Sequence, residues 1–325
     1  MQSHPFETLT PDMVIDAVES TGIISDARIL ALNSYENRVY QVGVEEGEPL
    51  IAKFYRPGRW SREQILEEHD FTREMAALEI PVVPPTLVGA STLSEYGGFQ
   101  FALFPRRGGR SPELSLDNLL IMGRFIGRLH LAGAAKPFRF RQTLSVDGYA
   151  RDSASFLLEN DFPPKDLREA YSTLARDLIT RIEQIFANCA TPVQLRIHGD
   201  CHMGNVLWRD DTPHFVDFDD TMTGPAIQDL WMLLSGDRGT QLAQLSELVD
   251  GYNEFHDFNP AELPLIEALR TMRLMYYSAW LARRWDDPAF PMSFPWFNTD
   301  SYWAGHILEL REQLYALDEP PLTLF

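Results

Sequence analysis

Residues 195–217 constrain this chain most. Elsewhere between residues 115 and 316 apolar side chains recur at helical spacing, but here two short β-like runs, 205–208 and 214–217, flank an Asp-Asp-Thr-Pro turn. A hairpin of that size adds little to a helical core. Its value is to hold the polar residues at its ends: His198, Gly199, Asp200 and Asn205 before it, and Asp217 at its close.

Upstream the pattern is different. Thr10-Pro11-Asp12 starts a short helix, because Thr caps free amides and Pro costs nothing at the first helical position, and Gly22 ends it. Residues 28–55 alternate and are rich in Val, Ile and Tyr, with Glu45-Glu46-Gly47-Glu48 between two runs, which predicts three antiparallel strands with Lys53 in the third. Ser61 with Gln64 forms a capping box, and Ile65, Phe71, Met75 and Leu78 carry a helix of about five turns to the prolines of 81–85. A further strand pair is expected within 86–104, and Pro105-Arg106-Arg107-Gly108-Gly109 marks a hinge. Helices are then predicted at 115–133, 164–188, 225–236, 240–256, 261–286 and 300–316. The expected architecture is α+β and bilobal: a small antiparallel-sheet lobe over 1–104 and a mainly helical lobe over 105–325.

The polar residues fit phosphoryl transfer. That chemistry needs a carboxylate to orient the attacking hydroxyl and accept its proton, and hard oxygen ligands for a magnesium ion bridging the nucleotide phosphates. Asp200 is the candidate base, with Asn205 five residues on and Asp217 beyond the hairpin as metal ligands. A D-x4-N spacing alone recurs by chance; the preceding His-Gly, the apolar flanks and the second Asp at hairpin distance give it meaning. Lys53, between Ile51-Ala52 and Phe54-Tyr55, calls for a partner unless its strand is a solvated edge, because an unpaired buried ammonium is costly. Glu68, preferred to Glu67, is the expected partner, holding the ammonium toward ATP phosphates. The turn 33–37 offers hydroxyl and amide donors where a phosphate loop should lie, with Ser34 foremost, though it has no glycine.

Other residues attract blander readings. Asp229 starts an apolar helix and is read as a support for the loop amides or as a first-turn carboxylate favoured by the helix dipole. His198, Cys201 and His202 invite zinc, but no second Cys or His pair follows at a useful distance. Tyr276, Tyr277, Trp280, Arg283, Arg284 and Trp285 read as core plus a solvated helix face sooner than as a substrate pocket.

These motifs resemble the aminoglycoside phosphotransferase and choline kinase superfamily, at His198-Gly199-Asp200 through Asn205 and at Asp217. Over residues 33–291 the chain is more closely similar to the bacterial stress response kinase A family, through NSYENRVYQV, QILEEH, HGDCHMGNVLWRD, QDLWMLL and WDDPAFP. The resemblance implies a protein-kinase-like fold and a cytoplasmic kinase that uses Mg2+ and ATP to phosphorylate protein Ser or Thr in stress responses. It implies Asp200 as proton acceptor, Asn205 and Asp217 as magnesium ligands and Ser34 at the ATP site. The chain departs from eukaryotic protein kinases: it has no G-x-G-x-x-G loop, Gly199 stands before Asp200, and about eleven residues separate Asp217 from Asp229. No long activation segment fits there, so an enzyme ready without loop phosphorylation is expected.

Composition narrows the partners. A formal charge of -19 disfavours nucleic acid and anionic membranes. Two cysteines, Cys189 and Cys201, fit a reducing compartment, and no run is apolar enough for a membrane span, so a soluble cytoplasmic monomer is expected. Two rivals remain: a kinase acting on a small amino alcohol, sugar or aminoglycoside, which needs the same phosphotransfer residues, and a nucleotide-binding regulator that has lost catalysis. The second is disfavoured because Lys53, Asp200, Asn205 and Asp217 are all present.

Overall fold

The computed structural model describes residues 4–189 and 192–324. Helix α1 (Pro11–Glu19) opens where the Thr10 hydroxyl accepts from Met13 N, and Gly22 turns the chain away at φ 87°. Strands β1 (Ser25–Ala31), β2 (Arg38–Val44) and β3 (Leu50–Phe54) form an antiparallel meander. Helix α2 (Arg62–Ala77) starts on the Ser61–Gln64 capping box. Strands β4 (Ser94–Tyr96) and β5 (Phe99–Pro105) complete a sheet ordered β1-β2-β3-β5-β4.

That order makes β3 the central strand, so Lys53 lies between Val39 and Ala102 and is not on an edge. Alternation along β3 does the rest. Ala52 and Phe54 join Val14, Val18, Val42 and Phe101 in a core under α1, while Ile51 and Lys53 face a cleft on the other side.

Beyond Pro105 helices dominate: α3 (Leu116–Ala134), α4 (Asp152–Glu159) entered through a π-turn at Asp147–Arg151, and α5 (Lys165–Asn188). Strand β6 (Leu195–Ile197) precedes the hairpin β7 (Val206–Arg209) and β8 (Thr212–Phe215), and β9 (Met222–Gly224) returns to pair with β6. The hairpin turns through Asp210 and Asp211 at φ 49° and 55°, a pair of left-handed residues that matches strand twist. Then come α6 (Ile227–Trp231), α7 (Arg238–Asn253), α8 (Leu265–Ala282), α9 (Ala289–Ser293) and α10 (Asp300–Ala316). Helices α3 and α7 pack backbone to backbone: a Cβ on Gly123 would lie 2.1 Å from Leu248 O, and one on Gly251 2.0 Å from Leu120 O.

Three expectations need correction. The helix expected over 225–236 shrinks to α6, because the chain tightens into i+3 turns at Leu233 and Leu234 and leaves through Gly236 at φ 84°. The helix expected over 261–286 begins only at Leu265, after a 3-10 turn at Pro260–Glu262. Helices α4 and α9, and the paired strands β6 and β9, have no counterpart among the expected elements: α4 buries only Ser153, Ala154 and Leu157, too little apolar surface for a clear period. Among the described residues no helix is long and apolar enough to cross a membrane.

Candidate active site

The cleft between the sheet and the helical region has a volume of about 700 Å³ and takes its lining from both. Its floor is the loop after β6. Gly199 there has φ 84°, and a Cβ on it would lie 2.3 Å from Asp220 O, so no other residue fits this turn. Asp229, fully buried at the start of α6, accepts from His198 N at 2.7 Å and Gly199 N at 2.8 Å, and bonds His130 Nε2 at 3.0 Å. Its role as a support for the loop amides is therefore realised. His198 bridges to the other end of the hairpin, with Nε2 2.9 Å from Val216 O, while its Nδ1 accepts from Asp200 N at 3.3 Å. Those two bonds need the neutral ring with its proton on Nε2.

The loop so fixed brings Asp200, Asn205 and Asp217 to one wall of the cleft. Asn205 donates through Nδ2 to Asp200 O at 3.0 Å and to Asp200 Oδ2 at 3.3 Å, which turns its Oδ1 away, and that oxygen accepts no hydrogen bond among the described residues. Asp200 Oδ1 lies 2.6 Å from Arg273 Nη1 and its Oδ2 3.3 Å from His202 Nε2. Burial would raise the Asp200 pKa; the His202 bond and the Arg273 charge outweigh it and hold the carboxyl well below the usual range. Asp217 sits in the left-handed region at φ 59°, ψ 63°, with 57% of its side chain exposed toward the cleft.

Lys53 reaches across from β3, but not to Glu68. Its Nζ lies 3.0 Å from Asp217 Oδ1 and 3.1 Å from Asp219 Oδ1, and no ion pair with Glu68 forms. Burial works against the ammonium; Asp217, Asp219 and then Glu68 reverse it and hold the Lys53 pKa well above the ordinary value. Glu68 is 3% exposed, its Oε2 has no hydrogen-bond partner among the described residues, and burial pushes its carboxyl up to about 7 against the pull of Lys53. The expected partner is thus a near neighbour, displaced by two aspartates that follow the hairpin. Glu67 is engaged elsewhere, accepting from the amides of Arg139, Phe140 and Arg141.

Several site residues had no sequence signal. Arg59 pairs with Asp219 and, at 2.5 Å, with Asp220, and Arg141 bonds the backbone oxygens of Asp219 and Thr221. Glu36, in the turn beside Ser34, gathers Arg56 at 3.0 Å, Arg284 at 2.6 Å and Trp280 Nε1 at 2.5 Å, so it ties the turn to α8. Asp287, beyond the end of α8, takes Arg56 just after β3 at 2.7 Å and Arg38 of β2 at 3.3 Å. Ser34 lines the cleft, with its hydroxyl donated to Asn37 O at 3.0 Å. The reading of the α8 stretch as core and solvated face also needs correction, since Tyr276, Tyr277 and Trp280 line the cleft with Arg273. His198, Cys201 and His202 are engaged separately: His198 bonds Val216 O and Asp200 N through its two ring nitrogens, Cys201 is fully buried, and His202 bonds Asp200 Oδ2.

The profile of the phosphotransferase enzyme family matches residues 28–292, and so spans the sheet, the hairpin and most of the helical half. The chain belongs to this family. The chain is similar to stress response kinase A of Escherichia coli O157:H7, 45% identical over 320 residues, covering 98% of this chain and 97% of that one. The serine/threonine protein kinase RdoA of Salmonella typhimurium LT2 is 44% identical over 321 residues, again covering 98% and 97%. Among solved structures, amicoumacin kinase hAmiN in complex with AMP-PNP, Ca2+ and Ami superposes with a TM-score of 0.73 at 18% identity, covering 95% of this chain and 94% of that one. A microcompartment-associated aminopropanol kinase gives 0.69 at 18% identity, covering 95% and 99%. The fold is that of these kinases, and the phosphotransferase family member described here is a kinase.

Proposed function

We propose that this kinase uses ATP and Mg2+ to transfer the γ-phosphoryl group to Ser or Thr of a protein, and acts in a bacterial stress response. The observation that carries the reading is the meeting of Asp200, Asn205 and Asp217 on one wall of a cleft with Lys53 opposite. Asp200 receives the proton of the attacking hydroxyl. Lys53 and the donors of the 33–37 turn, Ser34 among them, hold the phosphates; Glu68 stands behind Lys53 as its reserve counter-charge.

The donor set fits magnesium. Asp217 offers an exposed carboxylate and Asn205 a free amide oxygen, both hard oxygen ligands of the kind this ion takes, and both adjoin the lysine expected at the phosphates. Bound there, the ion would neutralise charge on the phosphates as the γ-phosphoryl group leaves. We further propose that residues 1–104 and 105–325 act as two lobes about the break at Pro105.

Charge favours a protein over a cationic small molecule. A choline-type or aminoglycoside acceptor needs uncommitted carboxylates near the base, but Asp219, Asp220, Glu36 and Asp287 are each tied to arginine, and Asp200 itself faces Arg273. The stress response kinase A and RdoA names of relatives 45% and 44% identical point the same way. The test incubates the purified enzyme with Mg2+ and γ-labelled ATP, offering a generic protein in one arm and a panel of amino alcohols, sugars and aminoglycosides in the other. Label on protein Ser or Thr is expected; label confined to a small acceptor would overturn the protein-kinase reading.

A further inference from the structure

Arg273 is the cleft cation beside the base, and it is only half used. Its Nη1 donates to Asp200 Oδ1 at 2.6 Å, while its Nε and Nη2 make no hydrogen bond among the described residues. Its side chain is 41% exposed and lines the cleft next to Tyr276 and Tyr277, on the face of α8 that looks toward Asp200. Of the other cations lining the cleft, Lys53 is spent on Asp217 and Asp219 and Arg59 on Asp219 and Asp220, while Arg107 makes no ion pair among the described residues and, unlike Arg273, does not touch Asp200.

A guanidinium offers two parallel-donor edges, and the edge made of Nε and Nη2 is the one left open here. That edge matches the two oxygens of a carboxylate. Because Nη1 is anchored on Asp200, a carboxylate bound to the open edge lies across the guanidinium from Asp200 Oδ1, separated by two hydrogen bonds and the width of that group, about 7 Å in all. Consecutive Cα atoms are about 3.8 Å apart, so a side chain one or two positions from the acceptor residue can reach that edge while the hydroxyl sits at Asp200.

We propose that Arg273 is a specificity residue that selects acceptor sites carrying a carboxylate beside the hydroxyl: a Ser or Thr with Asp or Glu one or two positions away. The proposal rests on the protein-kinase reading above and goes past it by naming the sequence context. It gives a positive role to a residue whose charge would be a poor neighbour for a cationic acceptor. It also suits an enzyme of formal charge -19, whose overall field repels acidic partners and leaves their recognition to a local cation.

The experiment measures kcat/KM for a set of Ser peptides identical except at the two residues on either side, which are Asp or Glu, their amide isosteres, or Lys. For the unaltered enzyme at low salt the acidic peptides should exceed the amide ones by about tenfold, with the ratio shrinking as salt screens the contact. Lys peptides should be poorest. Arg273→Gln should bring the acidic-to-amide ratio to about one, and Arg273→Lys, which keeps the charge without the fork, should leave it between the two. The ratio compares two substrates of one enzyme, so a general loss of rate does not affect it. A ratio near one in the unaltered enzyme, or one that survives Arg273→Gln, overturns the inference and leaves the protein-kinase reading standing. Failure to label any peptide while a small alcohol is labelled overturns both.

Discussion

Asp229→Asn should uncouple the loop that carries Asp200 from the helical core. Asp229 is fully buried, and its two oxygens accept from three donors, His198 N, Gly199 N and His130 Nε2, at 2.7, 2.8 and 3.0 Å. An asparagine keeps the shape but has one acceptor oxygen, so its amide nitrogen must face at least one of these donors. The loss is one charge-assisted bond plus the desolvation of a backbone N–H left without a partner, on the order of 3 kcal/mol in all. In urea unfolding followed by circular dichroism, with an m value of about 3 kcal/mol/M, the midpoint should fall by about 1 M. Because the bonded amides belong to the two residues before Asp200, turnover should fall further than KM for ATP rises. A variant with an unchanged midpoint and unchanged kcat would refute the claim that Asp229 holds the loop.

Asp217→Asn should keep the fold, since the side chain is 57% exposed and Asn tolerates φ 59°. It should raise the Mg2+ concentration needed for half-maximal activity and weaken Mg-ATP binding in calorimetry, because a metal ligand acts in the ground state as well as the transition state. Glu262 predicts a pH effect on stability away from the cleft. It is 1% exposed and accepts from Ile227 N at 3.0 Å, and burial, partly offset by the amides of Ile227 and Ala226, pushes its carboxyl from 4.5 to about 7. The folded state therefore holds an extra proton between those values, so stability falls as pH rises through that window, by about 3 kcal/mol once pH exceeds 7. Glu262→Gln removes the proton-linked penalty, and its stability relative to the unaltered protein should be higher at pH 8 than at pH 5 in matched urea titrations; an equal difference at both would contradict this.

What could be read from the sequence was what local chemistry decides. The Thr10 and Ser61 caps, the alternation of β2 and β3, and the hairpin around Asp210-Asp211 each write their signal within a few residues. The meeting of Asn205 and Asp217 follows from that hairpin, whose strands begin and end beside them, and Asp200 joins them from the loop after β6. The partner of Lys53 could not be read in this way. Asp217 and Asp219 stand 164 and 166 residues further on (217 − 53 and 219 − 53), and nothing local distinguishes them from Glu68 as counter-charges. The arginines were equally hidden, because Arg59, Arg141 and Arg273 each stand within three residues of another arginine, with nothing local to single them out, and gain their roles only through tertiary contacts. The same holds for Glu36, a turn residue that becomes the link between the sheet and α8.

The claim at the centre is that Asp200 is the base of phosphoryl transfer in a site that binds nucleotide without it. The direct measurement takes Asp200→Ala beside the unaltered enzyme and records Mg-ATP affinity by calorimetry and γ-phosphoryl transfer to protein from labelled ATP. Mg-ATP affinity should stay close to that of the unaltered enzyme while transfer falls by on the order of 10²- to 10⁴-fold. Transfer at the original rate would contradict it.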